Sequence, residues 1–157
     1  RLDLVVSDAP VPPGTKVRAY GRLIGESGVT LFGSADVARR HRRRFPRSLD
    51  GAPFLLPTEN TTLRRSLNDW FAARDLRPRI VAEFDDGALL KLFGGGGAGV
   101  FAAPTSVEAD VARAFGVRII GRIDEIRERF YAISAERRLT NPAVAALLEH
   151  SQKTLMG

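Results

Sequence analysis

The 157-residue sequence contains no cysteine. That absence excludes disulfides, thiolate metal ligands and cysteine nucleophiles, and it fits a reducing compartment. Histidine is nearly as scarce. His41 and His150 are the only two, and neither has a placed partner around which a catalytic triad could be built. No apolar run approaches the roughly 20 residues that a helix needs to span a bilayer. No signal-peptide pattern is visible. Methionine occurs once, as Met156, and the sequence opens on Arg1, which points to a cleaved leader or a piece of a longer protein.

Hydrophobic residues make up 44% of the chain and charged residues 27%. Those proportions belong to a globular domain with a real core. The net charge is +6, from 24 basic and 18 acidic residues. Six arginines fall in "RRHRRRFPR" (Arg39, Arg40, Arg42, Arg43, Arg44 and Arg47), and the remainder is neutral. The basic character is therefore one patch, and the overall charge is no argument for nucleic-acid binding. The patch could touch phosphates, but Phe45 is its only interleaved aromatic and it carries no reading motif. A solvated or partner-facing arm fits it better.

Strand and helix patterns alternate along the chain. "LDLVVSD" reads as a buried strand and "APVPPG" as a connector. "TKVRAYGRLIGESG" reads as an extended stretch ending in a glycine turn, and Val29–Ser34 as a separate strand. "ADVARRHRRRFP" reads as a short helix or irregular arm closed by Pro46. A short strand over Pro53–Leu56 precedes an amphipathic helix whose stripe is Leu63, Leu67, Trp70 and Phe71. Thr58, Asn60, Thr61 and Thr62 are its N-cap candidates. Arg79–Phe84 alternates as a strand. "DDGALLKLF" is a short helix capped by Asp85 or Asp86. The strand "GVFAAP", the helix "SVEADVARAFG", two strands "VRIIGRI" and "RFYAIS", and a last helix capped by Asn141 with Pro142 in its first turn complete the order. This alternation argues for an α/β fold with a largely parallel sheet.

Gly94, Gly96 and Gly99 match the G-x-G-x-x-G spacing of a dinucleotide loop. Their context is reversed. Such a loop follows a strand and opens a helix, whereas these glycines follow a helix and open a strand. A phosphate there would meet the negative end of the helix dipole. Helix capping and a tight turn into a buried strand explain the glycines better. "PTENTTLRR" is more suggestive, because hydroxyls and amides crowd a helix N-terminus that follows a strand. That arrangement suits a polar or anionic ligand, or plain capping. The adjacent Asp85 and Asp86 could serve a cation or proton transfer, although helix capping is their ordinary role.

In order, the segments "LDLVVSD", "SLDGAPFLLP" with "LRRSLNDWF", "EFDDGALLKLFG" with "GVFAAP", and "ERFYAISAERRLTNPAV" resemble the effector-binding domain of LysR-type transcriptional regulators. The wording is most similar to the NhaR-like subgroup, activators of sodium/proton antiporter genes, except that Ala82 stands where the subgroup has glycine. The resemblance covers nearly the whole chain. It implies a periplasmic-binding-protein type 2-like α/β fold, with two Rossmann-like subdomains joined by two crossing strands. The first subdomain would be 1–23 with 135–157, incomplete here, and the second 24–134. It implies a ligand in the inter-subdomain cleft, bordered by Ser7, Asp8, Thr58, Glu59, Asn60, Thr61, Glu83, Asp85, Phe101, Ala103 and Pro104. The acidic members suit a small effector that is a cation, sodium among them, or a polar molecule. The resemblance further implies a cytoplasmic homodimer or tetramer with no cofactor, no catalysis and no membrane contact, which meets DNA only through an N-terminal domain absent from this sequence. A transport solute-binding protein has the same fold and would need an export signal. An enzyme on this scaffold would need a convergent acid, base or nucleophile set.

Overall fold

Val29 and Leu31 alternate with Thr30 and Phe32, and Phe54 and Leu56 alternate with Leu55, so each strand buries side chains on both faces. A sheet apolar on both faces needs cover on both, and helices supply it here. The computed structural model describes residues 5–7 and 20–134. Strands run over Val5–Ser7 (β1), Tyr20–Gly33 (β2), Pro53–Pro57 (β3), Arg79–Phe84 (β4), Phe101–Pro104 (β5) and Arg118–Ser134 (β6). Helices span Ala35–Arg42 (α1), Thr62–Ala73 (α2), Gly87–Gly95 (α3) and Glu108–Phe115 (α4). The expected last helix and its cap at Asn141 lie outside the described residues, as does Asp8.

The described residues fall into two compact units, one holding those up to Ser27 and from Arg127, the other Gly28–Ile126. The chain passes between them within β2 and within β6. In the first unit β1 pairs antiparallel with β6, Ser7 opposite Tyr131. In the second, β2 pairs antiparallel with β5, and Thr30 lies opposite Ala103. The hydrogen-bonded order is β1–β6–β2–β5, with β3 and β4 forming a parallel pair. An isolated parallel bridge joins Phe54 to Val100.

The expectation of a largely parallel sheet is thus corrected: among the described residues β3 and β4 pair parallel and Phe54 bridges Val100 in parallel, whereas β1–β6 and β2–β5 are antiparallel. Two other readings change as well. The stretches on either side of Gly28 are one strand, and so are "VRIIGRI" and "RFYAIS". Gly25 and Gly28 lie buried inside β2 and make no turn, because the strand's neighbours satisfy its backbone.

One core cluster of the second unit joins Leu31, Phe54 and Leu56 to Val37 of α1 and to Leu67, Trp70 and Phe71 of α2. The other joins Phe32, Leu55 and Phe101 to Leu90 of α3 and Val111 of α4. Fully burying one such side chain contributes about 1.5–3 kcal/mol. Asp86 caps α3, its carboxylate accepting from the Ala88 and Leu89 N–H groups at 2.9 and 3.2 Å.

The glycine run serves this packing. A Cβ on Gly94 would stand 2.2 Å from the Phe101 ring, so only glycine lets α3 lie on β5. Gly97 turns the chain at φ +92°, a conformation side chains disfavour.

Candidate functional site

The C-terminal ends of β3 and β4 lie side by side, Pro57 opposite Phe84. In parallel α/β units this edge is where ligands bind. The Thr58 N–H donates to the Phe84 carbonyl at 3.0 Å and ties the two ends together. Thr58 Oγ1 donates to Asn60 Oδ1 at 2.7 Å. Thr61 Oγ1 donates to the Thr58 carbonyl at 2.9 Å and accepts the Arg64 N–H at 3.2 Å. Of the four cap candidates, Thr61 is therefore the N-cap of α2. Helix geometry leaves the N–H groups of Thr62 and Leu63 without carbonyl partners inside α2, pointing off its N-terminus.

Beneath this polar turn lies a residue that the sequence reading did not single out. Arg64 is 3% exposed. Its guanidinium donates to the Pro57 carbonyl at 2.9 Å, to Asn68 Oδ1 at 3.2 Å and to Glu83 Oε2. Glu59 Oε1 stands 3.5 Å from it. One buried cation thus joins the end of β3, α2 and β4. It also takes up part of the negative charge of Glu59 and Glu83. The helical phase was the available signal. Arg64 precedes Leu67 by three positions and Phe71 by seven, which puts it on the edge of the buried stripe.

The other expected ligand residues divide by place. Thr58, Glu59, Asn60, Thr61 and Glu83 come together around Arg64. Asp85 follows at the exposed end of β4. Phe101 and Ala103 of β5 are 0% and 1% exposed, and the Phe101 ring stacks on Phe32 at 5.4 Å. Their side chains belong to the core and shape the strand from behind. Pro104 is half-buried where β5 ends. Ser7 sits in β1, in the first unit.

A second polar cluster adjoins the end of β5. Thr30 is 0% exposed, and its hydroxyl donates to Glu108 Oε2 at 2.7 Å and lies 2.9 Å from Thr105 Oγ1. Arg122 Nε and Nη2 grip the two oxygens of Glu108 at 3.1 and 2.6 Å. The Arg122 hydrogen bond, helped by the Thr30 hydroxyl and opposed by burial, holds the Glu108 carboxyl below the usual carboxylate range. Glu108 in turn pushes the Arg122 guanidinium up. This pair fastens the start of α4 to β6.

A cavity of about 400 Å³ opens at the opposite end of the β3–α2–β4 crossover, among Phe71, Asp75, Arg77 and Ile80. It includes none of the expected ligand residues. Among the described residues, no group of three or more His, Asp or Glu is placed to hold a metal ion. No helix among them is long and apolar enough to cross a membrane.

Polar groups at the strand ends of a helix-covered α/β unit, with two long strands leading into a second unit, fit the periplasmic-binding-protein type 2 class of fold. Residues 1–156 match the LysR substrate binding domain family. The chain belongs to that family. It is 34% identical over 144 residues to the transcriptional activator protein NhaR of Escherichia coli, covering 92% of this chain and 47% of that protein. The chain therefore spans about half the length of the curated relatives it matches.

The effector domain of the regulator AmpR of Pseudomonas aeruginosa superposes with a TM-score of 0.71 at 20% identity, over 99% of this chain and 74% of that one. The regulatory domain of CcmR from Synechocystis PCC6803, in complex with 2-PG, superposes at 0.59 and 15% identity, over 98% and 73%. Both likenesses are of fold. Family membership decides against a transport solute-binding protein.

Proposed function

We propose that this chain senses a small effector for an activator of sodium/proton antiporter genes. The observation that carries this reading is the 34% identity to NhaR across 92% of the chain. The polar turn at the N-terminus of α2 is the effector-binding face. Thr58, Asn60 and Thr61 offer hydroxyl and amide oxygens, and among the described residues no cation is paired with the Asp85 carboxylate. Arg64, and Arg65 on the Asn60 carbonyl at 3.3 Å, set two positive charges against Glu59, Glu83 and Asp85, so the turn keeps one net negative charge. The free N–H groups of α2 suit an anion, so the sodium reading rests on the oxygens, since carboxylate, hydroxyl and amide ligation of this kind is what sodium takes. That a CcmR domain of this fold is found with 2-PG supports a small-molecule effector as such.

Effector binding shifts transcription only through a difference in affinity between two states of the whole regulator. That regulator is proposed to be a homodimer or tetramer. Ile80 and Val81 of β4 with Leu89, Leu92 and Phe93 of α3 are exposed apolar side chains, and they are proposed to lie in its subunit interface.

The test is an antiporter-gene promoter fused to a reporter in cells carrying the whole regulator. Activation on a shift to sodium chloride, but not to potassium chloride of equal ionic strength, is the expected result. Equal activation by both salts contradicts the sodium reading, and no activation by either contradicts the target.

A further inference from the structure

Neither the core nor the proposed effector face uses the arginine segment. Arg39, Arg40, Arg42, Arg43, Arg44 and Arg47 are all exposed. Three of them are occupied. Arg39 pairs with Asp36. Arg42 donates through Nε and Nη2 to the Ile119 carbonyl at 3.2 and 2.9 Å. Arg47 reaches the Arg74 carbonyl at 3.4 Å. Arg40, Arg43 and Arg44 have no comparable partner among the described residues.

These three are not carried on a loose arm. The Phe45 ring lies so close to Gly121 of β6 that a Cβ there would stand 2.6 Å from it. The same ring stacks with Trp70 of α2 at 6.5 Å and 24°. Ser48 Oγ donates to the His41 carbonyl, and His41 Nδ1 lies 3.1 Å from the Ser48 carbonyl, which closes the turn. Arg44 itself is held at φ 62°, in the left-handed region where glycine or asparagine is the relaxed choice. A loop that needed only to turn would gain from glycine there. An arginine kept in that conformation, beside two other unpartnered arginines, sits on backbone that is already fixed before a ligand arrives. Ordering the groups beforehand lowers the entropy lost on binding.

We propose that Arg40, Arg43 and Arg44 form a docking surface for the phosphate backbone of double-stranded DNA, contacted without base readout. Guanidinium forks match phosphate oxygens two at a time. Backbone contact needs charge and reach alone. Protein interfaces draw most of their energy from buried aromatic or arginine anchors, and Phe45, the aromatic of this segment, is half-buried against the core instead. The proposal is independent of the effector's identity. It narrows the expectation that DNA is met only through another domain to the reading of bases.

The test is fluorescence anisotropy of the 157-residue chain with a labelled random-sequence duplex, across a range of salt concentrations. Wild type should bind with strong salt dependence. Arg40→Ser/Arg43→Ser/Arg44→Ser should lose about tenfold or more in affinity at low salt, and the slope of log K against log salt should shrink by about 2–3, near 0.9 per lost phosphate contact. Arg113→Ser, an exposed arginine on α4, should change nothing. Arg44→Gly should bind more weakly while unfolding at the same or a higher temperature. That variant carries the test should the triple one fail to fold. Absence of salt-dependent binding by wild type, an unchanged slope in the triple variant, or competition by poly-glutamate as effective as by duplex at equal charge overturns the proposal.

Discussion

Replacing Arg64 by methionine removes the guanidinium and keeps most of the apolar stem. The half-buried Pro57 carbonyl then loses a donor at 2.9 Å, one supplied by a side chain that is itself 3% exposed. An unsatisfied buried acceptor costs about 1–3 kcal/mol. The lost ion pairs add less. Breaking a fully buried pair costs about 3–5 kcal/mol, but the side chains of Glu83 and Glu59 are 47% and 77% exposed, so water screens them. Their contribution falls to about 0–1 kcal/mol. The sum is about 1–4 kcal/mol, which for a domain of this size, at about 2–4 °C per kcal/mol, lowers the melting temperature by about 2–16 °C.

Trp70, the only tryptophan, is 6% exposed and packs in the same core as α2, so its emission reports the transition directly. Far-UV circular dichroism checks that the secondary structure melts with it. Arg64→Lys keeps the charge but not the fork, and should fall midway. Glu83→Gln should cost under about 1 kcal/mol. A melting temperature for Arg64→Met within about 1–2 °C of wild type would refute the reasoning, being less than one buried carbonyl is worth. So would an equal loss in Glu83→Gln, since the exposed charge and not the carbonyl would then be the determinant.

Three further outcomes follow from the same structure. Gly94→Ala forces a methyl against the Phe101 ring and should destabilise by about 1–3 kcal/mol, measured by denaturant titration; a neutral effect would show that α3 does not lie on β5 as described. Glu108 has a carboxyl pKa lowered in the folded state, so its stabilisation is fully present above its ordinary value of 4.5 and is lost as the pH falls through the lower folded value. Glu108→Gln should therefore be less stable than wild type at neutral pH, and the gap should close in strongly acidic solution; a gap independent of pH contradicts the pairing. Leu92→Asp, at a side chain 62% exposed, should leave the monomer's fold intact but dissociate the proposed oligomer in sedimentation velocity; an unchanged oligomer removes α3 from the proposed interface.

Periodicity made much of the second unit legible in the sequence. The spacing of Leu63, Leu67, Trp70 and Phe71 placed α2, and the alternation over Arg79–Phe84 placed β4. The reversed order of helix, glycines and strand was enough to set aside a nucleotide loop, and the contact between Gly94 and Phe101 supplies the physical reason. Strand pairing was not legible. β2 and β6 carry glycines and charges that read locally as breaks, and only their neighbours make each one continuous. The polar turn from Thr58 to Thr61 was visible because capping residues cluster in sequence. Its anchor was not, because a buried arginine is satisfied by groups from three separate elements. The Thr30–Glu108 bond joins residues 78 positions apart, and no local pattern announces such a pair. The arginine run was visible as composition, yet its order comes from Phe45 lodged against Gly121, a contact between distant segments.

The proposed effector face is tested most directly by titrating the chain with sodium chloride and with potassium chloride at matched ionic strength, following thermal unfolding through Trp70. The account predicts that sodium raises the melting temperature more than potassium does, and that the difference disappears in Asp85→Asn and in Thr58→Val. Equal responses to the two salts in wild type, or a sodium-specific response that survives both substitutions, would contradict it.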